Sequence, residues 1–163
     1  MLISSGNDHV LRVWSLEDYY PAAILIGHTD AISNVSFCPK PGLGRILSIS
    51  YDGTVRLWNT EDLSQPSVSL EAGGSLLCTS WSPGGTWFVT GLSDCTARIW
   101  STDPPKLVQI LRGHKAVVGT VGWSHSGTKI VTGSTDGTAR LWDFDPKYKF
   151  WVCKHVLVMN PTE

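Results

Sequence analysis

Short runs in which apolar or β-branched residues alternate with small polar ones recur along the chain, and none carries the period of an amphipathic helix. Runs such as Ile46-Leu47-Ser48-Ile49-Ser50 and Ile130-Val131-Thr132-Gly133-Ser134 read as strands. Each leads through an Asp-Gly-type turn into a second strand ending in Trp, so the pair predicts a β-hairpin. Four such second segments align without gaps: Asp8-His9-Val10-Leu11-Arg12-Val13-Trp14, Asp52-Gly53-Thr54-Val55-Arg56-Leu57-Trp58, Asp94-Cys95-Thr96-Ala97-Arg98-Ile99-Trp100 and Asp136-Gly137-Thr138-Ala139-Arg140-Leu141-Trp142. Their tryptophans lie 44, 42 and 42 residues apart, and a fixed period of that size predicts an array of repeated all-β units.

With Gly27-His28, Gly113-His114 and the single Trp142-Asp143 dipeptide, this pattern resembles WD40 repeats over essentially the whole chain. The resemblance implies an all-β fold, a partial WD40 β-propeller. It also implies a structural tetrad in the second and fourth repeats, running from indole N–H through hydroxyl and imidazole to carboxylate: His28, Ser48, Asp52, Trp58 and His114, Thr132, Asp136, Trp142. The first repeat has Ser4, Asp8 and Trp14 without a histidine. The third has Thr90, Asp94 and Trp100 with Ala72 where histidine would stand, so Asp94 must find another donor or face water.

The period divides the chain into repeats at about 1–26 (incomplete), 27–70, 71–112 and 113–163, a single partial propeller of about three and a half to four blades. Such propellers commonly close with about seven or eight, so the chain is expected to be a fragment, or to need further blades or self-association. Met1 to Ser4 reads as the second strand of a blade, and Tyr148 to Val158 as the outermost strand of the last one. Leu11 and Val13 at one end, and Leu141 and Phe150 at the other, are expected on faces left uncovered.

Thirteen Lys+Arg against fourteen Asp+Glu leave a net charge of -1, which excludes the basic footprint of bulk nucleic-acid binding. The longest apolar stretch, Ala22 to Ile26, is far too short to span a membrane, and the first ten residues lack a secretory pattern. Cys38, Cys78, Cys95 and Cys153 form no C-x-x-C pair and read as reduced thiols. His9, His125 and His155 are isolated; no metal or cofactor site is implied.

A Ser, a His and an Asp in one repeat also fit a hydrolase. That reading needs an accessible nucleophile, and the recurrence of the set from repeat to repeat favours a structural device instead. The four arginines two before each Trp read as structural, their stems covering apolar surface.

The stretch Leu2 to Asn59, with its long hairpin at Pro39 to Arg45, and the last unit, with Trp151 and Val158-Met159, are similar to the bromodomain and WD-repeat family. That likeness implies a nuclear, chromatin-associated scaffold regulating transcription, with family roles in cell shape and cytoskeletal organisation; apart from it, the chain is expected to be cytoplasmic and not secreted. Some members are substrate receptors of cullin ubiquitin ligases through a Trp-Asp-x-Arg box, but Trp142-Asp143-Phe144-Asp145 lacks the arginine. By family geometry the partner-binding face carries Thr29, Asp30, Tyr51, Ser93, Lys115 and Thr135. The expected partners are proteins or peptides.

Overall fold

The computed structural model describes residues 1–158; fifteen strands in four antiparallel sheets make up its regular structure, with no helix among the described residues. The first sheet is β1 (Leu2–Ser5), β2 (Val10–Trp14) and β3 (Pro21–Ile26). The second is β4 (Ile32–Phe37), β5 (Arg45–Ser50), β6 (Thr54–Asn59) and β7 (Val68–Glu71). The third is β8 (Leu76–Trp81), β9 (Trp87–Leu92), β10 (Ala97–Thr102) and β11 (Pro105–Leu111). The fourth is β12 (Val118–Trp123), β13 (Lys129–Ser134), β14 (Thr138–Asp145) and β15 (Phe150–Val158). Strands adjacent in sequence are adjacent in every sheet, the up-and-down order of propeller blades. The chain folds as two compact units with their boundary between Leu76 and Leu77.

Alternation along each strand decides what is covered. In the first unit Leu11, Val13 and Leu25 pack against Ile32, Ile46 and Trp58, joining the first two sheets through one apolar cluster. In the second unit Val89, Ala97 and Ile99 of the third sheet meet Ile130, Trp142 and Trp151 of the fourth. Leu11 and Val13 are thus fully buried, not left on an uncovered face. The registers Leu11↔Leu25 and Val13↔Ala23 place them on the side that the second sheet covers. The large exposed apolar residues of the first sheet's strands are instead Leu2, Ile24 and Ile26. Leu141 is half-buried and Phe150 exposed; the last strand starts at Phe150, not Tyr148, and Met159–Glu163 lie outside the described residues.

The residue after each turn aspartate takes a left-handed backbone, with φ of 81° at Gly53 and 79° at Gly137. The same place is held by His9 at 65° and Cys95 at 67°, where a Cβ crowds the following carbonyl. Cys95→Gly should therefore stabilise the protein by about 0.5–1 kcal/mol, relief of strain exceeding the glycine's extra unfolded entropy, as checked by denaturant melts.

Candidate functional site

In the second sheet the hairpin β5–β6 presents Ser48, Asp52 and Trp58 to His28 from the β3–β4 loop. Trp58 Nε1–H donates to Ser48 Oγ at 2.9 Å, and Ser48 Oγ lies 2.8 Å from His28 Nε2. His28 Nδ1 lies 2.8 Å from Asp52 Oδ2. A neutral imidazole satisfies every link: Nδ1–H donates to the carboxylate and Nε2 accepts the Ser48 proton. Asp52 also receives the Thr29 N–H at 3.0 Å, the Thr54 N–H at 2.8 Å and the Thr54 hydroxyl at 2.7 Å. The fourth sheet repeats the arrangement: Trp142 Nε1–H to Thr132 Oγ1 at 3.0 Å, Thr132 to His114 Nε2 at 2.8 Å, and His114 Nδ1 to Asp136 Oδ2 at 3.1 Å. Asp136 likewise takes the Lys115 N–H at 2.8 Å and the Thr138 hydroxyl at 2.6 Å.

The other two sheets keep the indole link without the imidazole. Trp14 Nε1–H donates to Ser4 Oγ at 2.8 Å, and Trp100 Nε1–H to Thr90 Oγ1 at 3.0 Å. Their aspartates are held by the arginine four residues on, Arg12 to Asp8 at 2.6 Å and Arg98 to Asp94 at 2.7 Å. Where a histidine already occupies the carboxylate, the same arginine goes elsewhere: Arg56 to Ser67 Oγ at 2.9 Å, Arg140 to the Gly113 carbonyl at 2.8 Å. This choice brings the guanidinium against the glycine of each Gly-His pair. A Cβ on Gly27 would stand 2.7 Å from Arg56 Nη1, and one on Gly113 would stand 2.6 Å from Arg140 Nη1. Of the three repeats whose histidine position lies in the chain, the arginine reaches the aspartate only in the third, where Ala72 stands in the histidine's place.

Burial of His28 pushes its pKa below the ordinary value, outweighing the attraction of Asp52. Burial acts to raise Asp52, but the Thr29 N–H, the Thr54 hydroxyl and His28 prevail and bring it down to about 2. Asp136 is held lower still, by the Thr138 hydroxyl and the Lys115 N–H. In each case the folded state binds fewer protons than the unfolded chain in the window between the two pKa values, so stability falls on acidification. Melting temperature should begin to drop below about pH 6.5, where unfolded histidine takes a proton, and drop again below about pH 4 as the aspartates follow. In His28→Gln the His28 contribution to the first phase should disappear, as a pH series of thermal melts would show.

A hydrolase needs a nucleophile that substrate can reach. Ser48 and Thr132 are fully buried, and each is bonded between an indole and an imidazole. Neither can be reached as a nucleophile, and both link strands instead. Among the described residues no group of three or more His, Cys, Asp or Glu is placed to hold a metal. The Cys78 thiol is pushed up to about 11 by burial, which leaves it unreactive at neutral pH.

The loops beside the networks hold the remaining candidates. In the first unit Thr29 and Asp30 lie in the β3–β4 loop and Tyr51 in the β5–β6 turn; all are exposed, and the Tyr51 N–H donates to the Ala31 carbonyl at 3.1 Å. In the second unit Lys115 and Thr135 are joined in the same way, by the Thr135 N–H to the Val117 carbonyl at 3.1 Å, and Ser93 occupies the β9–β10 turn; all three are exposed. Within each unit, then, these loops lie at the strand ends that carry the aspartates. Sequence reasoning missed the aromatic group Trp87, Trp123, Phe144 and Trp151 at the other end of the second unit, because its members come from four different strands.

The repeated sheets and their indole-linked aspartate turns define a WD40 protein, and the family model described as "WD domain, G-beta repeat" matches residues 20–59, 64–101 and 105–143; the chain belongs to that family. It is similar to human nucleoporin Nup37, 35% identical over 82 residues, covering 49% of this chain and 24% of the relative. It is also similar to Protein DAMAGED DNA-BINDING 2 of Arabidopsis thaliana, 32% identical over 62 residues, covering 37% and 11%. Cross-pathway control WD-repeat protein 2 of Flammulina velutipes is 30% identical over 95 residues, covering 58% and 29%. The chain thus spans less than a third of the length of each of these relatives. These matches establish WD40 membership and add nothing to the narrower likeness to the bromodomain and WD-repeat family.

Proposed function

We propose that the chain is a non-enzymatic protein-interaction scaffold that binds protein or peptide partners through the loops at the aspartate end of its sheets. The observation that carries this reading is the division of labour at that end. The Ser, Thr, His and Asp side chains are spent on strand-to-strand hydrogen bonds, while Thr29, Asp30, Tyr51, Ser93, Lys115 and Thr135 are held exposed on turns that those bonds brace. Rigid scaffolds carrying exposed loops are where binding residues concentrate. Tyr51, 46% exposed, is the aromatic anchor of the first unit's loops. The repeats form one partial propeller in this reading, with a blade to each sheet. Its setting is nuclear and chromatin-associated, in transcription regulation, supported by the family resemblance and by the likeness to a nucleoporin.

A photo-crosslinking amino acid at position 51 should form adducts with a partner protein from nuclear extract, while one at exposed Tyr148 should not. Tyr51→Ala should then weaken binding of that partner at least about tenfold, worth about 1.4 kcal/mol, with the melting temperature nearly unchanged. Equal labelling from both positions, or a collapse of the fold in Tyr51→Ala, would count against this face.

A further inference from the structure

Four aromatic side chains of the second unit, Trp87, Trp123, Phe144 and Trp151, enclose a cavity of about 150 Å³ together with Gly127 and Thr128. The β12–β13 turn that supplies Gly127 and Thr128 lies at the opposite end of β13 from the Thr135 turn, so the cavity is separate from the loops discussed above. Trp151 forms its buried wall. Trp123 stands against Trp151 at 88° with ring centroids 4.9 Å apart, and Phe144 at 57° and 5.5 Å. The box is braced from behind: the Gln109 side chain donates to the Trp151 carbonyl and accepts the Trp151 N–H, both at 2.7 Å. Trp123 Nε1 is buried with no hydrogen-bond partner, so packing alone sets that ring, at the expense of an unmet donor. Phe144, exposed at 40%, and exposed Thr128 leave the box open on one side.

The face of an aromatic ring attracts a cation, and four aromatic rings line this cavity. The protein's own cations nearby are engaged, Lys129 with Asp143 at 2.8 Å and Lys147 over the Tyr148 ring. The lining offers one hydroxyl, on Thr128, and no carboxylate. A primary ammonium or a guanidinium would enter by losing hydration from N–H groups that find almost no acceptor there. A quaternary ammonium has no N–H to satisfy and spreads its charge over methyl groups that fit apolar rings. We infer that this aromatic box binds a quaternary ammonium group, specifically the trimethyl-lysine side chain of a partner protein. The cavity holds the head group only and leaves a methylene stem to exit past Thr128. The inference rests on the protein-binding reading only for the source of the ammonium; the box itself is tested by a small ion.

The experiment is an NMR titration of the full chain, following the indole N–H resonances. Tetramethylammonium should shift Trp123 and Trp151 saturably, and its neutral isostere 3,3-dimethyl-1-butanol should bind at least tenfold more weakly. A trimethyl-lysine peptide should bind at least tenfold more tightly than its unmethylated form and more tightly than phosphocholine. Phe144→Leu, which keeps apolar volume without a ring face, should lose at least tenfold in affinity for tetramethylammonium with little change in melting temperature; Phe144→Ala should lose as much. Equal binding of the neutral isostere, or no saturable shift, would overturn the box as a cation site. Preference for phosphocholine would overturn the protein source. Failure of the box would leave the Tyr51 crosslinking result untouched.

Discussion

Trp142→Ala should destabilise the protein by about 3–5 kcal/mol, the usual cost of emptying a buried tryptophan site. Trp142 is 4% exposed and lies in the cluster that joins the third and fourth sheets through Val89, Ile99 and Ile130. Its removal opens a cavity between the two sheets and leaves the Thr132 hydroxyl without its indole donor. Trp142→Phe should cost less, about 1–3 kcal/mol, because most of the apolar area remains and chiefly the N–H link is lost. Stability in repeat arrays is largely a matter of neighbouring interfaces, so hydrogen exchange in the alanine variant should rise most in β12–β15. A uniform change across both units would mean that the indole is not the local joint described here.

Asp52→Ala should cost about 2–4 kcal/mol, because the buried neutral His28 N–H and the other donors that the carboxylate answers lose a charged acceptor. The His28 and Asp52 side chains are 0% and 5% exposed, and the carboxylate answers the imidazole, two backbone N–H groups and one hydroxyl. The corresponding Asp94→Ala should cost only about 1 kcal/mol. The Asp94 side chain is 34% exposed, and its ion pair with Arg98 is partly screened by water. The ratio of the two losses in matched denaturant melts is the informative quantity. Equal losses would mean that the histidine adds nothing to the network.

The all-β class and the hairpins were legible because the Asp-to-Trp spacing recurs without gaps and turn chemistry marks each break. His28, Ser48, Asp52 and Trp58 could be named together because the resemblance to WD40 repeats implies that set within one unit. What the period could not show is a choice among equal alternatives. Arg56, Arg98 and Arg140 hold identical places, yet Arg98 alone of the three reaches back to its aspartate, in the repeat where Ala72 stands in the histidine's place. The covering of Leu11 and Val13 depends on which face the next sheet takes, which the alternation of one strand leaves open. The aromatic box was invisible for a similar reason. Trp87, Trp123, Phe144 and Trp151 each read as an ordinary strand aromatic, and it is the packing of the third sheet on the fourth, with the Gln109–Trp151 bonds, that brings them together.

The central claim is that the His, Ser and Asp sets are buried structural links with a neutral imidazole, which leaves the loops free to bind. Nitrogen-detected NMR of His28 between pH 5 and 8 tests it most directly. The account predicts a neutral ring protonated on Nδ1, with a midpoint below the ordinary histidine value. A ring that titrates at or above that value, together with labelling of Ser48 by a fluorophosphonate, would contradict it and restore the catalytic reading.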